Sequence, residues 1–175
     1  MHPSRHQPAL LAALAFLPLT VLVPAGASAQ QLVYLVRHAE RADQGSAAGG
    51  MQAQSDPLLS AAGEARARRL ATMLADAGIK AVFATEYRRT RDTAVPLAAE
   101  IGRDVQTNPA RDTAGLVARL RADHAGEIVL LVGHSNTVPE IIKALGGPEV
   151  TIGELEYDNL FVFIPATNTL SRIRY

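Results

Sequence analysis

The sequence predicts an α/β fold, a three-layer sandwich with a mostly parallel central sheet and an antiparallel edge strand. Three observations predict it. Short apolar runs of strand length recur along the chain; residues 32–36 (LVYLV) and 127–133 (EIVLLVG) are the clearest, and unbroken apolar character marks a strand buried on both faces. Amphipathic segments lie between these runs, and strands alternating with helices favour a parallel sheet covered on both sides. The last two runs are separated only by residues 165–169, the spacing of a hairpin at one edge.

Each element has its own justification. Residues 32–36 form the first strand. Residues 41–56 are rich in Gly, Ala, Gln and Ser, with Gly49-Gly50 inside, and read as a loop. Ser60 is a suitable N-cap for a helix running to about Asp76, with Leu70, Met73, Leu74 and Ala77 on one face and Gly78 as its stop. Residues 81–85 give a second strand, and 88–101 a second helix distorted at Pro96. Residues 105–107 are a weak third strand and 112–122 a third helix. Beyond the strand at 127–133, Thr137-Val138-Pro139-Glu140 has capping-box spacing for a fourth helix ending at Gly146-Gly147. Residues 160–164 and 170–174 close the sheet. There is no internal repeat and no sign of a second domain.

The chain has 175 residues, of which 48% are hydrophobic and 19% charged, a balance that excludes a disordered chain. Part of the apolar excess is concentrated at the start. Residues 1–7 carry Arg5 and no acid, 9–23 are almost wholly apolar, and Ala27-Ser28-Ala29 follows. This pattern predicts a secretory signal cleaved after Ala29, leaving 30–175 as a single periplasmic or secreted domain. The apolar stretch is shorter than the roughly 20 residues a bilayer needs, so no stable membrane span is expected after cleavage. Lys plus Arg and Asp plus Glu number 17 each, which leaves no bulk charge to attract nucleic acid. The absence of cysteine excludes disulfide scaffolds, thiolate zinc sites and thiol nucleophiles.

In open α/β sheets the reactive groups gather beyond the carboxyl ends of the strands. The first strand here runs into Arg37-His38-Ala39-Glu40, the second into Thr85-Glu86-Tyr87-Arg88-Arg89, and that at 127–133 into His134-Ser135-Asn136. Two of the three histidines beyond residue 29 therefore leave buried strands, with arginines at matching positions. These residue types suit phosphoryl transfer. A neutral imidazole is a competent nucleophile at neutral pH, guanidinium groups offer permanently charged forked donors to a phosphoryl dianion, and a helix N-terminus adds backbone donors. The chemistry requires no metal and no cofactor.

Residues 32–40 (LVYLVRHAE) resemble the signature of the histidine phosphatase, or phosphoglycerate-mutase-like, superfamily. Residues 57–67 (PLLSAAGEARA), 85–94 (TEYRRTRDTA), 132–136 (VGHSN) and 157–161 are similar to further blocks of that family, in order, over the span 32–175. The resemblance implies a phosphoglycerate-mutase-like sandwich with His38 as the phosphorylated nucleophile. It also implies that Arg37 and Arg89 bind the phosphoryl group, that His134 is the second pocket histidine, and that Asn136 contributes an amide. Arg89, four residues before Thr93, aligns with the pocket arginine. Arg88 and Arg91 are assigned to solvent or the rim, Arg66, Arg68 and Arg69 to the wet face of the first helix, and His124 to the surface.

The general acid departs from the family pattern. Ser135 stands where an Asp would follow the second histidine, and 106–116 holds no Glu. Asp112, Glu40 and Glu140 remain as candidates, Asp112 equally a helix cap and Glu140 a member of the capping box, with Asp43 and Glu86 also in flanking loops. The expected function is a phosphomonoesterase acting on a small or envelope phosphate ester, such as a sugar phosphate or glycolipid. The alternative is a phosphate-binding module without an effective acid. A mutase fits a short exported chain less well, and a metallohydrolase lacks a ligand cluster of the His-x-x-x-His kind.

Overall fold

The computed structural model describes residues 32–44 and 56–175. The leader expected at 1–29 and most of the loop expected at 41–56 lie outside the described residues. No helix among the described residues is long and apolar enough to cross a membrane.

Among the described residues, strands and α-helices follow one another as β1 (Leu32–Arg37), α1 (Ala61–Leu74), β2 (Ala81–Thr85), α2 (Arg88–Glu100), β3 (Val105–Asn108), α3 (Thr113–Asp123), β4 (Ile128–Gly133), α4 (Thr137–Ala144), β5 (Asn159–Ile164) and β6 (Thr169–Arg174). They build one sheet in the order β3-β2-β4-β1-β5-β6. The first four strands in that order are mutually parallel, β5 runs antiparallel to β1, and β6 antiparallel to β5. The expected mostly parallel sandwich with an antiparallel edge is therefore the observed fold.

The apolar strand runs explain the layers. Successive side chains of a strand point to opposite faces, and β4 divides its residues accordingly. Val129 and Leu131 join Leu116, Leu120, Val138 and Ile142 of α3 and α4, whereas Leu130 and Val132 join Leu70, Leu74, Ala94 and Leu97 of α1 and α2.

Several sequence expectations need correction. On α1 the buried stripe is Gly63, Ala67, Leu70, Ala71 and Leu74, and Met73 faces solvent at 44% exposure; the helix rotates the small alanines inward because α2 packs close against them. Ser60 is the N-cap as expected, its hydroxyl accepting from Gly63 N–H, and the helix ends at Leu74 rather than Asp76. Pro96 lies inside α2, which runs unbroken to Glu100; only the Asp92 carbonyl loses its helical donor. On α4 the capping box does not form. The N-cap is Asn136, because the Thr137 hydroxyl accepts from His134 N–H at 2.8 Å instead. His124 is no loose surface residue: its Nδ1 lies 2.8 Å from a Glu127 carboxylate oxygen and its ring packs edge-on against Phe83.

Candidate active site

Strand register builds the site. Arg37 of β1 pairs with Gly133 of β4, so the residues that follow, His38 and His134, leave the sheet side by side. His38 N–H donates to the Gly133 carbonyl at 2.8 Å, and the two imidazole centroids lie 5.3 Å apart. Gly133 has no room for a side chain: a Cβ there would stand 2.6 Å from Thr137 Oγ1. On the other side of β4, Ala84 of β2 pairs with Val132, which brings Thr85 level with the histidines and Arg89 into reach from the first turn of α2.

His38 is buried, and its Nδ1 lies 2.8 Å from the Ala39 carbonyl. A carbonyl only accepts, so Nδ1 carries the hydrogen and Nε2 bears the lone pair. Ala39 N–H donates to Thr93 Oγ1 at 3.0 Å, and the Thr93 hydroxyl donates to the Arg89 carbonyl at 2.8 Å. Thr93 therefore fastens the loop behind His38 to the helix carrying Arg89. The ring of His134 is held by Thr85 Oγ1 at 2.9 Å from Nε2, with Arg89 Nη2 at 3.5 Å from Nδ1.

Each of the two arginines is clamped from one side. Arg37 is buried, donates through Nη1 to the Gly153 and Glu154 carbonyls at 2.9 and 2.8 Å, and lies with its guanidinium carbon 4.2 Å from the Tyr157 ring centroid. The Tyr157 hydroxyl in turn donates to Gln44 Oε1. Arg89 stacks on Tyr87 at 4.4 Å and faces Asp56 at 3.5 Å. The Nε–H of both arginines is buried without an acceptor, an arrangement costing about 1–3 kcal/mol for each group until one is supplied.

Burial pushes the His38 pKa down to about 3, against the bond to the Ala39 carbonyl, with His134, Arg89 and Arg37 adding to the fall. Burial likewise lowers His134 to about 4, aided by Arg89 and Arg37 and opposed by Glu86 and Asp56. Arg89 is itself lowered by burial and by Arg41. Both imidazoles are therefore neutral at neutral pH. The sign for stability follows. Depressed folded values mean that the unfolded chain binds protons first, so the stability contributed is full above about pH 6.5 and is lost as pH falls towards 4 and 3. Thermal melts from neutral pH down to about pH 4 should show the wild type losing Tm more steeply than a His38→Gln/His134→Gln variant; parallel slopes would refute this assignment of the pH dependence.

The remaining predicted residues lie as follows. Asn136 is exposed and makes no side-chain cap bond. Asp112 caps α3, its carboxylate accepting from Gly115 N–H at 2.9 Å. Glu40 is bound by Arg66 Nε and Nη2 at 2.9 and 2.7 Å, and this guanidinium, against the opposing effect of burial, holds the carboxyl below its ordinary range. That pair also corrects the reading of Arg66 as wet: it is half-buried and reaches the Tyr175 carbonyl at 2.7 Å as well. Glu140 is exposed on α4. Asp43 forks onto Arg41 at 2.6 and 2.8 Å, and Glu86 accepts from Ala110 N–H at 2.7 Å. Sequence reasoning missed Asp56, which accepts from Arg88 N–H with both oxygens at 2.9 Å and so caps α2 from 32 residues away. It also missed the stacking of Tyr157 on Arg37. Among the described residues no group of three or more His, Asp or Glu side chains could hold a metal ion.

The chain resembles known proteins in sequence and in fold. The family profile of the histidine phosphatase superfamily (branch 1) matches residues 33–112. The probable phosphoglycerate mutase GpmB of Escherichia fergusonii is 40% identical over 77 residues, 44% of this chain and 35% of that protein. Its counterpart in Serratia proteamaculans is 39% identical over 94 residues, 54% of this chain and 39% of that protein. The chain thus aligns with little more than a third of the length of these relatives. Among solved structures, the protein histidine phosphatase SixA in complex with tungstate superposes with a TM-score of 0.60 at 17% identity, covering 81% of this chain and 94% of that one. A mycobacterial glucosyl-3-phosphoglycerate phosphatase gives 0.59 at 17% identity, covering 82% and 97%. At such identity the likeness is one of fold.

Proposed function

We propose that this chain is a histidine phosphatase superfamily member, as the profile match over residues 33–112 and the sequence relatives support, and that it is a metal-independent phosphomonoesterase working through a phosphohistidine on His38. The observation that carries the proposal is the pair of buried arginine Nε–H donors without acceptors beside an imidazole whose Nε2 lone pair is free. Phosphoryl oxygens would supply the missing acceptors, and each charge-assisted bond formed is worth about 1.5–3 kcal/mol. His38 Nε2 then attacks phosphorus in line. The N–P bond forms as the P–O bond to the leaving group breaks, and water subsequently cleaves N–P, releasing phosphate and the free imidazole. Arg37 and Arg89 bind and stabilise the charge on the equatorial oxygens throughout.

The carboxylates narrow the substrate. Asp112 caps a helix, Glu40 is held by Arg66, Asp43 by Arg41 and Glu86 by the Ala110 N–H, so these candidate acids are already engaged in other bonds. The proposed substrates are phosphate esters whose oxygen leaves with little proton assistance, aryl or otherwise activated; an envelope or other periplasmic ester is included on the strength of residues 1–29 alone. The test is a series of aryl and alkyl phosphates of rising leaving-group pKa. Rates should fall steeply along the series and survive exhaustive chelation; a flat series would reveal an internal acid, and loss of activity on chelation would overturn the mechanism.

The same observation favours a second reading, a phosphate-binding module that retains the pocket without turnover. Anions that raise Tm while no ester in the series is hydrolysed would select it. The name of the two sequence relatives points to a mutase, in which the phosphohistidine passes to a second hydroxyl. Release of inorganic phosphate from 3-phosphoglycerate, rather than isomerisation, would separate the two.

A further inference from the structure

Both ring nitrogens of His134 have partners, and those partners determine where its hydrogen sits. Thr90 has a single hydroxyl hydrogen. Its oxygen lies 2.6 Å from the Tyr87 carbonyl, too close for two lone pairs to face each other, so the hydrogen is donated there. Thr85 Oγ1, 2.8 Å from Thr90 Oγ1, must then be the donor of that pair. With its hydrogen so used, Thr85 can only accept from His134 Nε2 at 2.9 Å. The other nitrogen agrees, because Arg89 Nη2 can only donate and it faces Nδ1 at 3.5 Å. A donor chain from His134 through Thr85 and Thr90 to a backbone carbonyl thus holds the neutral ring as its Nε2–H tautomer. All three side chains are buried.

This tautomer presents a lone pair, not a hydrogen, on the side where Arg89 would bind an anion. A phosphoryl oxygen arriving there meets another acceptor. Shifting the hydrogen to Nδ1 would leave Nε2 facing an oxygen already committed as an acceptor, unless the whole threonine chain reversed against the Tyr87 carbonyl. We propose, on the phosphatase reading above, that binding a phosphoryl-type dianion takes up one proton on His134 Nδ1, and that Thr85 is the positioning residue enforcing this by retaining the Nε2 hydrogen. The step balances: a dianion, a proton and a neutral imidazole give an imidazolium that donates Nδ1–H to an anion oxygen and Nε2–H to Thr85. The proton comes from solvent, or from the ester itself when it arrives as a monoanion.

The groups facing the ring make the uptake conditional on the ligand. Arg89 and Arg37 oppose a charge on His134, Glu86 and Asp56 favour it, and the rings of His38 and Tyr87 lie at 5.3 and 5.2 Å. Burial and the arginines keep the proton off the empty site at neutral pH, and an arriving dianion reverses that balance.

Tungstate, a dianion throughout the neutral range, is the probe. Calorimetric titration in two buffers of different ionisation enthalpy counts protons directly. Wild-type protein should take up about one proton per tungstate, with affinity falling about tenfold per pH unit on the alkaline side. The uptake should persist in His38→Ala, fall towards zero in Thr85→Val, whose ring is free to adopt the other tautomer, and return in Thr85→Ser. Tungstate binding without proton uptake, uptake that vanishes with His38, or uptake unchanged in Thr85→Val would each overturn the inference while leaving the phosphatase reading intact. No tungstate binding at any pH would overturn both.

Discussion

Replacing His38 with alanine should reduce turnover of an activated aryl phosphate by at least about 10⁴-fold, the scale seen when a covalent nucleophile is removed from an otherwise intact site. The fold should survive. His38 makes no side-chain bond except to the neighbouring carbonyl of Ala39, and its backbone bond to Gly133 does not depend on the side chain. Removing a buried imidazole even relieves a group whose protonation the site resists. Rapid quenching of the wild type with a phosphorus-labelled substrate should trap an acid-labile, base-stable adduct that the variant lacks. An unchanged rate, or an adduct that persists in the variant, would place the nucleophile elsewhere.

Gly63→Ala is the second large effect, and it acts at a distance from the reacting atoms. A Cβ on Gly63 would stand 2.3 Å from the Glu40 carbonyl oxygen and within 3.1 Å of two further backbone atoms of Glu40. Nothing flexible lies in the way, so the backbone two residues beyond His38 must move. Ala39 cannot follow without loosening its bond to Thr93. A displacement near 1 Å at the nucleophile costs on the order of 10²-fold in rate, whereas overpacking costs stability of only about 1–3 kcal/mol. The variant should therefore remain folded at room temperature with kcat depressed far more than Tm. Full activity in a folded Gly63→Ala protein would mean that the contact has slack.

Much of this architecture was legible in the residues, and the parts that were not have identifiable physical causes. The strands at 32–36 and 127–133 were readable because a strand buried on both faces leaves no polar positions. His38 and His134 were readable because each follows such a strand at once. Asp56 as the cap of α2 was not, since a helix whose own N-cap residue, Tyr87, makes no side-chain bond gives no local sign that a carboxylate 32 residues earlier serves it. Tyr157 on Arg37 spans 120 residues in the same way. Glu140 misled for a different reason: its spacing was right, but a competing local donor, the N–H of His134 three residues before Thr137, claimed the Thr137 hydroxyl first. Arg66 looked solvated because helical periodicity ranks a position by its face and takes no account of a carboxylate, Glu40, brought there by the segment that follows β1.

The pairing of Arg37 with Gly133 has a consequence for how such a domain can change over time. The two histidines owe their adjacency first to the register of neighbouring strands, and the outer parts of the loops beyond them take little part in setting it. Segments could be lengthened, shortened or exchanged at the rim while the nucleophile and its companion stay in step. The chemistry is therefore inherited with the sheet, and selectivity is left to whatever the loops acquire.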